Sequence, residues 1–330
     1  MKVSGTVRTS TFREVGIALT LSAAVVACSG DRPEPTLADT REILYSSHQP
    51  NGTEDLRAVN AVTGATRLVI SGDSASSRSL GAWSPDSRSI ALVHEYGGRT
   101  ELVIWDKMEG RSQNVNGALP VVVLFPDWSP DGDKLLVSGG SDSRFLGVYV
   151  VAPGSSTSRA LRVDDWSYRC PSWSPGGDRF VVAAYADSRS AVLVVDTVGA
   201  IIDTLARSDT TYLDCPQWSP TRDEILLTVF HGGGESGWER PAYQSSLAIL
   251  DSRSGQLRQI AEGPGLSNYG RWSSDGEWIV FQSDRQAQPT TAHDGLQQLY
   301  KNLEIYIVRR DGSELRRLTE NDYFDAHPSW

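Results

Sequence analysis

Trp128-Ser-Pro-Asp-Gly132 is the stretch that decides the fold, because the chain repeats it. Trp83-Ser-Pro-Asp86, Trp173-Ser-Pro-Gly-Gly177, Trp218-Ser-Pro220 and Trp272-Ser-Ser-Asp-Gly276 are copies, and Trp330 begins one more. The first four tryptophans stand 45 residues apart, and the next gaps are 54 and 58. A tryptophan-marked period of about 40–50 residues is the pattern of a β-propeller, whose blades bury their faces against one another.

The clearest unit covers residues 171–206. Pro171-Ser-Trp-Ser174 reads as a short inner strand and Pro175-Gly-Gly-Asp178 as a hairpin turn, with proline fixing φ and glycine supplying a positive φ. Arg179–Tyr185, Ala191–Asp196 and Ile201–Leu205 read as the second, third and fourth strands. Four short strands with turns between them make an antiparallel blade. A β-sandwich would not explain the equal spacings. Five units are complete. Residues 41–70 read as strands two to four of another blade, and Phe324–Trp330 reads as its missing tryptophan strand. The expectation is an all-β, six-bladed propeller of four-stranded antiparallel blades over 41–330, the ring closed by the N-terminal strands plus the C-terminal tryptophan strand. An open ring would leave blade faces and strand edges unpaired.

Lys2, Arg8 and Arg13 precede an apolar run, Gly16 to Ala27, and then Cys28. A small residue before cysteine at the end of such a run resembles the bacterial lipobox. That resemblance implies a lipoprotein signal peptide over 1–27, lipid on Cys28 and a polar tether over 28–40. An ordinary secretory signal cleaved near Ala27 is the other reading. The run is too short to span a bilayer. The net charge of -10, with 31 Lys and Arg against 41 Asp and Glu, argues against nucleic acid as a partner.

His327-Pro-Ser-Trp330, Pro126-Asp-Trp-Ser-Pro-Asp-Gly132, and Phe281-Gln-Ser-Asp-Arg285 followed by Glu304–Gly312 resemble the repeats of TolB-type, WD40-like propellers. The resemblance implies the fold, and such propellers serve as binding modules and as the non-catalytic domains of peptidases. A non-enzymatic module that binds an envelope protein or a small ligand is the expected function. TolB's N-terminal α/β domain has no counterpart in the 14 residues between Cys28 and Ile43, and the hydrolase domain of propeller peptidases has none either. A lyase or glycan hydrolase working at the channel mouth is the alternative.

His231-Gly-Gly-Gly234 resembles an esterase oxyanion loop, but no G-x-S-x-G elbow accompanies it. The histidines at 48, 94, 231, 293 and 327 have no metal-ligand spacing, and no cofactor is expected. Cys170 and Cys215 precede tryptophans by three residues in adjacent units. In an exported protein they invite a disulfide. Equivalent side chains pointing the same way round a ring would work against it, so the sequence leaves the bridge open. The two long insertions, 231–244 and 286–302, fall between second and third strands and so share one face. They offer His231, Trp238, Arg240, Tyr243, His293 and Tyr300 as binding residues. Arg99, Arg144 and Arg189, again 45 apart, are assigned to that face, with the pre-tryptophan residues Asp127, Tyr168, Asp214, Tyr269, Arg271, Asp325 and His327. Asp214 and Asp325 are the carboxylates that acid/base chemistry would use.

Overall fold

Apolar runs broken by Gly, Pro, Asp and Ser turns become strands throughout the computed structural model, which describes residues 42–49, 52–72, 76–115, 119–155, 157–162, 164–187, 189–231, 244–286 and 303–330. The residues expected to form the signal peptide and the tether, Cys28 among them, and most of both insertions lie outside the described residues. The strands are β1 (Glu42–His48), β2 (Glu54–Asn60), β3 (Thr66–Ile70), β4 (Ser76–Trp83), β5 (Ser89–Tyr96), β6 (Arg99–Asp106) and β7 (Arg111–Asn114). There follow β8 (Val122–Trp128), β9 (Leu135–Gly140), β10 (Gly147–Val151), β11 (Ser158–Arg162), β12 (Ser167–Trp173), β13 (Arg179–Ala186), β14 (Arg189–Asp196) and β15 (Ile201–Ser208). The last are β16 (Tyr212–Trp218), β17 (Glu224–His231), β18 (Gln244–Asp251), β19 (Leu257–Gln259), β20 (Ser267–Trp272), β21 (Trp278–Ser283), β22 (Glu304–Arg309), β23 (Arg316–Arg317) and β24 (Phe324–Ser329).

Strands β8–β11, β12–β15, β16–β19 and β20–β23 form four separate four-stranded antiparallel blades. The other eight strands make one sheet. In it β24-β1-β2-β3 and β4-β5-β6-β7 are antiparallel throughout, and a single parallel pair, Glu54↔Ser77, joins the two sets. The C-terminal tryptophan strand thus pairs with the first N-terminal strand, from Leu44↔Ser329 to His48↔Phe324. The inner strand of the clearest unit starts at Ser167, earlier than Pro171, because Tyr168 and Arg169 pair with Ala184 and Ala183 before the ladder slips.

The core lies between adjoining strand sets. Leu136, Val148 and Leu161 pack with Trp173, Phe180 and Val182, so β9–β11 are glued to β12 and β13. Ile43, Tyr45 and Val59 pack with Trp278, Val280 and Ile307, so the first strands are glued to β21 and β22. Leu44, Leu56 and Ala58 pack on the other side with Ile90, Leu92 and Val103. Both faces of these strands are therefore buried, which is why their sequences read as continuous apolar runs.

The repeated motif makes these joints. Trp128 Nε1–H donates to Ala82 O at 3.1 Å, and Trp272 Nε1–H to Gln217 O at 3.2 Å, so an indole bridges to the preceding inner strand. In the turn, Ser129 Oγ accepts the Lys134 N–H at 2.9 Å and donates to Asp131. Gly132 sits at φ +77°, and a Cβ there would meet Pro85 of the neighbouring turn at 3.8 Å. Ser87 holds the equivalent place at φ +58°, a conformation that costs an L-residue about 1–2 kcal/mol.

Candidate functional site

Each inner strand carries a bulge. The ladder slips between Ser79 and Ala82, Leu124 and Asp127, Arg169 and Ser172, Asp214 and Gln217, and Asn268 and Arg271. The residue three before each tryptophan has a positive φ: Leu80, Phe125, Cys170, Cys215, Tyr269 and His327, at 44° to 55°. A bulge re-aims a side chain, and here it turns these six toward one another. Phe125, Cys170 and Cys215 form a cluster with Leu80 and Tyr269 packed on it. His327 meets Tyr269 edge-on at 4.9 Å. Around Leu80, Phe125, Tyr269, Arg271 and His327 only about 10 Å³ of space is left, enough for roughly one water.

Above this plug lies a funnel of about 330 Å³. Its wall is built from the motif itself: Trp83, Trp128, Trp173, Trp218, Trp272 and Trp330, with Pro85, Pro130, Pro175 and Pro220 of the turns outside them. Five of its polar residues come from the position just before the tryptophan, Asp127, Ser172, Gln217, Arg271 and Ser329, and Ser174, Ser273 and Ser274 of the turns add hydroxyls. Asp127 and Arg271 therefore do not share the insertion-bearing face to which the sequence pattern assigns them. They stand at the turn-proximal end of the inner strands, at the opposite mouth, because an inner strand runs from the entry face to the motif turn.

Asp127 Oδ2 accepts the Trp173 N–H at 2.8 Å. Burial nevertheless lifts its carboxyl to about 6, against the pull of that hydrogen bond and of the Arg271 charge. Burial lowers the pKa of Arg271, with Asp127 and Tyr269 opposing. No hydrogen bond or ion pair holds the Arg271 guanidinium among the described residues, and its Nη1 is buried with no partner. Burial, then the charges of His48 and Arg271, push His327 down to about 4, so it is neutral at pH 7; its Nδ1 has no partner either.

The other residues named from sequence scatter. Arg144 pairs with Asp142 at 3.3 Å and Arg189 with Asp187 at 3.5 Å, each within its own exposed turn, where such pairs contribute little. Arg99 is exposed at the start of β6. His231 Nε2 shares a hydrogen bond with Ser246 Oγ at 2.9 Å. Asp214 accepts from Tyr185 Oη at 2.6 Å and from the Cys215 N–H at 2.8 Å. Asp325, fully buried, accepts from Ser47 Oγ at 2.6 Å and Asn321 Nδ2 at 2.9 Å, and burial raises its pKa. The two carboxylates have no bonding partner in common. Trp238, Arg240, Tyr243, His293 and Tyr300 lie outside the described residues.

Cys170 and Cys215 sit with Cα atoms 4.8 Å apart, inside the range a disulfide spans. The bulge disposes of the directional objection, since both side chains turn inward to where neighbouring strands converge. With Asp214 they form a group of ligand-type atoms within 4.8 Å of one another, the chemistry a soft metal would use if the thiols were free.

No family model matches the chain. The structure resembles TolB from Acinetobacter baumannii, with a TM-score of 0.65 at 17% identity over 88% of this chain and 66% of that one. It resembles putative TolB from Agrobacterium tumefaciens as well, at 0.64 and 16% over 86% and 97%. The fold is a TolB-like β-propeller. Among curated proteins, an uncharacterized peptidase of Bacillus subtilis, YuxL, is 28% identical over 92 residues, 28% of this chain. An uncharacterized protein of Agrobacterium fabrum, Atu1656, is 33% identical over 82 residues, 24% of this chain. The matches span 12% and 23% of those two proteins.

Proposed function

We propose that this chain is a non-enzymatic binding module of the bacterial cell envelope: a closed, six-bladed propeller held to a membrane through lipid on Cys28, with residues 28–40 as its tether. The single observation that carries the binding reading is the funnel, a concave site of about 330 Å³ with an apolar wall and a half-buried cation, Arg271, whose Nη1 is buried without a partner among the described residues. Binding sites are usually such pockets, apolar with a few placed polar groups. Two buried carboxylates tied into separate hydrogen-bond sets give no acid/base pair, so the lyase or hydrolase alternative has no observation behind it. The apolar run before Cys28 and the TolB-like fold support the envelope setting.

The insertion-bearing face, with Trp238 as its anchor, is the competing location for the contact. The two mouths separate in one experiment. Lipid-free chain from residue 28 onward is used to capture partners from envelope extract, beside Trp238→Ala and Arg271→Gln. The expected result is capture lost with Arg271→Gln and kept with Trp238→Ala, at unchanged melting temperature. Loss with Trp238→Ala alone would move the site to the insertions.

A further inference from the structure

Among the described residues the funnel has one cation, Arg271, and no bond to it. We propose that it captures the carboxyl terminus of an extended peptide, with the terminal carboxylate on Arg271. This rests on the funnel being the binding site. It adds the chemical class of the occupant.

Three observations carry it. First, the funnel is a dead end. Below Arg271 the space between Phe125, Tyr269 and His327 falls to about 10 Å³, so nothing larger than a water passes and a ligand enters end-on. An internal acidic side chain would have to bring two chain directions down the same narrow mouth, whereas a terminus brings one. Second, Arg271 is charged, half-buried and without a hydrogen bond or ion pair among the described residues. Its neighbour Asp127 feels its charge, yet no ion pair joins them among the described residues, and Nη1 has no acceptor. A guanidinium presents paired N–H groups that match a carboxylate in geometry and charge. A buried guanidinium N–H without an acceptor is costly, and an incoming carboxylate would remove that cost.

Third, the remaining lining suits the last residues of a peptide. Asp127 uses Oδ2 to accept the Trp173 N–H and has Oδ1 left to accept an amide N–H of the ligand. Gln217 and Ser329 offer further polar atoms at the same level, and the tryptophans and turn prolines present apolar surface to side chains above it. The carboxylate would thus sit deepest, the last peptide N–H beside Asp127, and the final side chains against the wall.

The test uses an N-acetylated tripeptide library with randomised positions, made once with free acid ends and once as amides, and titrated into lipid-free chain. The wall tryptophans report occupancy by fluorescence. The acid library is expected to shift emission saturably, and the amide library to bind at least tenfold more weakly. Arg271→Gln should bring the acid-to-amide ratio to about one without lowering the melting temperature, and Arg271→Lys should keep part of the preference. Equal binding of acid and amide by the wild type would overturn the carboxylate inference and leave the funnel reading standing. Failure of both libraries up to millimolar concentration would sink the two together. Sodium acetate competing as well as the peptide acids would refute a peptide occupant in favour of a bare anion site.

Discussion

Removing Phe324–Trp330 tests how much the pairing of the two chain ends contributes. The deletion takes away β24 and with it four pairings to β1. It breaks four hydrogen bonds, three of them to buried partners: Ser47 Oγ to Asp325, the Asp325 N–H to Leu303 O and the His327 N–H to Gln282 Oε1, with Asn321 Nδ2 to Asp325 from an exposed one. At about 1 kcal/mol net each, these four amount to about 4 kcal/mol. Trp330 packs, half-buried, on the cluster of Ile43, Tyr45 and Trp278. A fully buried tryptophan is worth about 3–5 kcal/mol against alanine, so about 2 kcal/mol is a fair share for this one. The loss of about 6 kcal/mol compares with a total stability of about 5–15 kcal/mol. With a urea slope of about 3 kcal/mol/M, the midpoint should fall by about 2 M. Urea unfolding followed by far-UV circular dichroism measures it. Because β24 docks by pairing and packing, the synthetic heptapeptide Phe324–Trp330 added in trans should restore part of the shift. A truncated chain that unfolds at the wild-type midpoint would refute the reasoning.

Three further outcomes are expected. Cys28→Ala should yield protein without lipid, and mature wild type lacking lipid at Cys28 by mass spectrometry would remove the anchor. Cys170 and Cys215 should be joined in exported protein; closing 45 residues contributes about 4 kcal/mol in the chain-entropy account, so reductant should lower the urea midpoint, and peptide mapping that found both thiols free would exclude the bridge. Asp127 should make the fold less stable as pH rises: its folded pKa of about 6 lies above the ordinary 3.8, so the folded state keeps a proton that the unfolded chain loses in that window, a difference of about 3 kcal/mol that is fully expressed above pH 6. Asp127→Asn should therefore gain on wild type by up to that amount between pH 4 and 7, and a stability difference flat in pH would contradict the assignment.

The fold was legible because it is written in a period. The Trp-Ser-Pro-Asp-Gly turn, the 45-residue spacing and the complementary ends lead to four-stranded blades and to the β24–β1 pairing that the structure contains. The site was less legible, for a reason visible in the inner strands. The six bulge positions hold Leu, Phe, Cys, Cys, Tyr and His, which share no side-chain property and signal no positive φ. Without the bulge, simple alternation along an inner strand misaims the side chains beyond it, and the mouth follows from position along the strand, which puts Asp127 and Arg271 at the motif-turn end. A signal did exist. The position before each tryptophan reads Ala, Asp, Ser, Gln, Arg, Ser, a mostly polar column beside an indole that packs between strands, and polar groups in such a column need a wet or ligand-facing surface.

Loop length favours the insertion-bearing mouth, since added residues supply aromatic side chains where no strand requires them. Charge favours the other mouth, and the energetic argument there is the stronger one. A solvated loop aromatic costs the fold nothing, so its presence demands no occupant. Arg271 is different: replacing an enclosed, unbonded cation with an apolar residue of similar size is the kind of change that often stabilises a protein. A side chain that works against the fold in the empty funnel gains its justification from the ligand that fills the funnel. His327 strengthens the case, because burial keeps it neutral at pH 7 and leaves Arg271 as the cation at the floor, while Asp127, with a pKa of about 6, is largely ionised there without an ion pair to Arg271 among the described residues. The measurement that weighs the two mouths is the melting temperature of Arg271→Met beside that of Trp238→Ala, both without ligand. A rise for Arg271→Met, together with lost binding, identifies a residue kept for its ligand; a fall would mean that Arg271 supports the plug, and the insertions would become the better site.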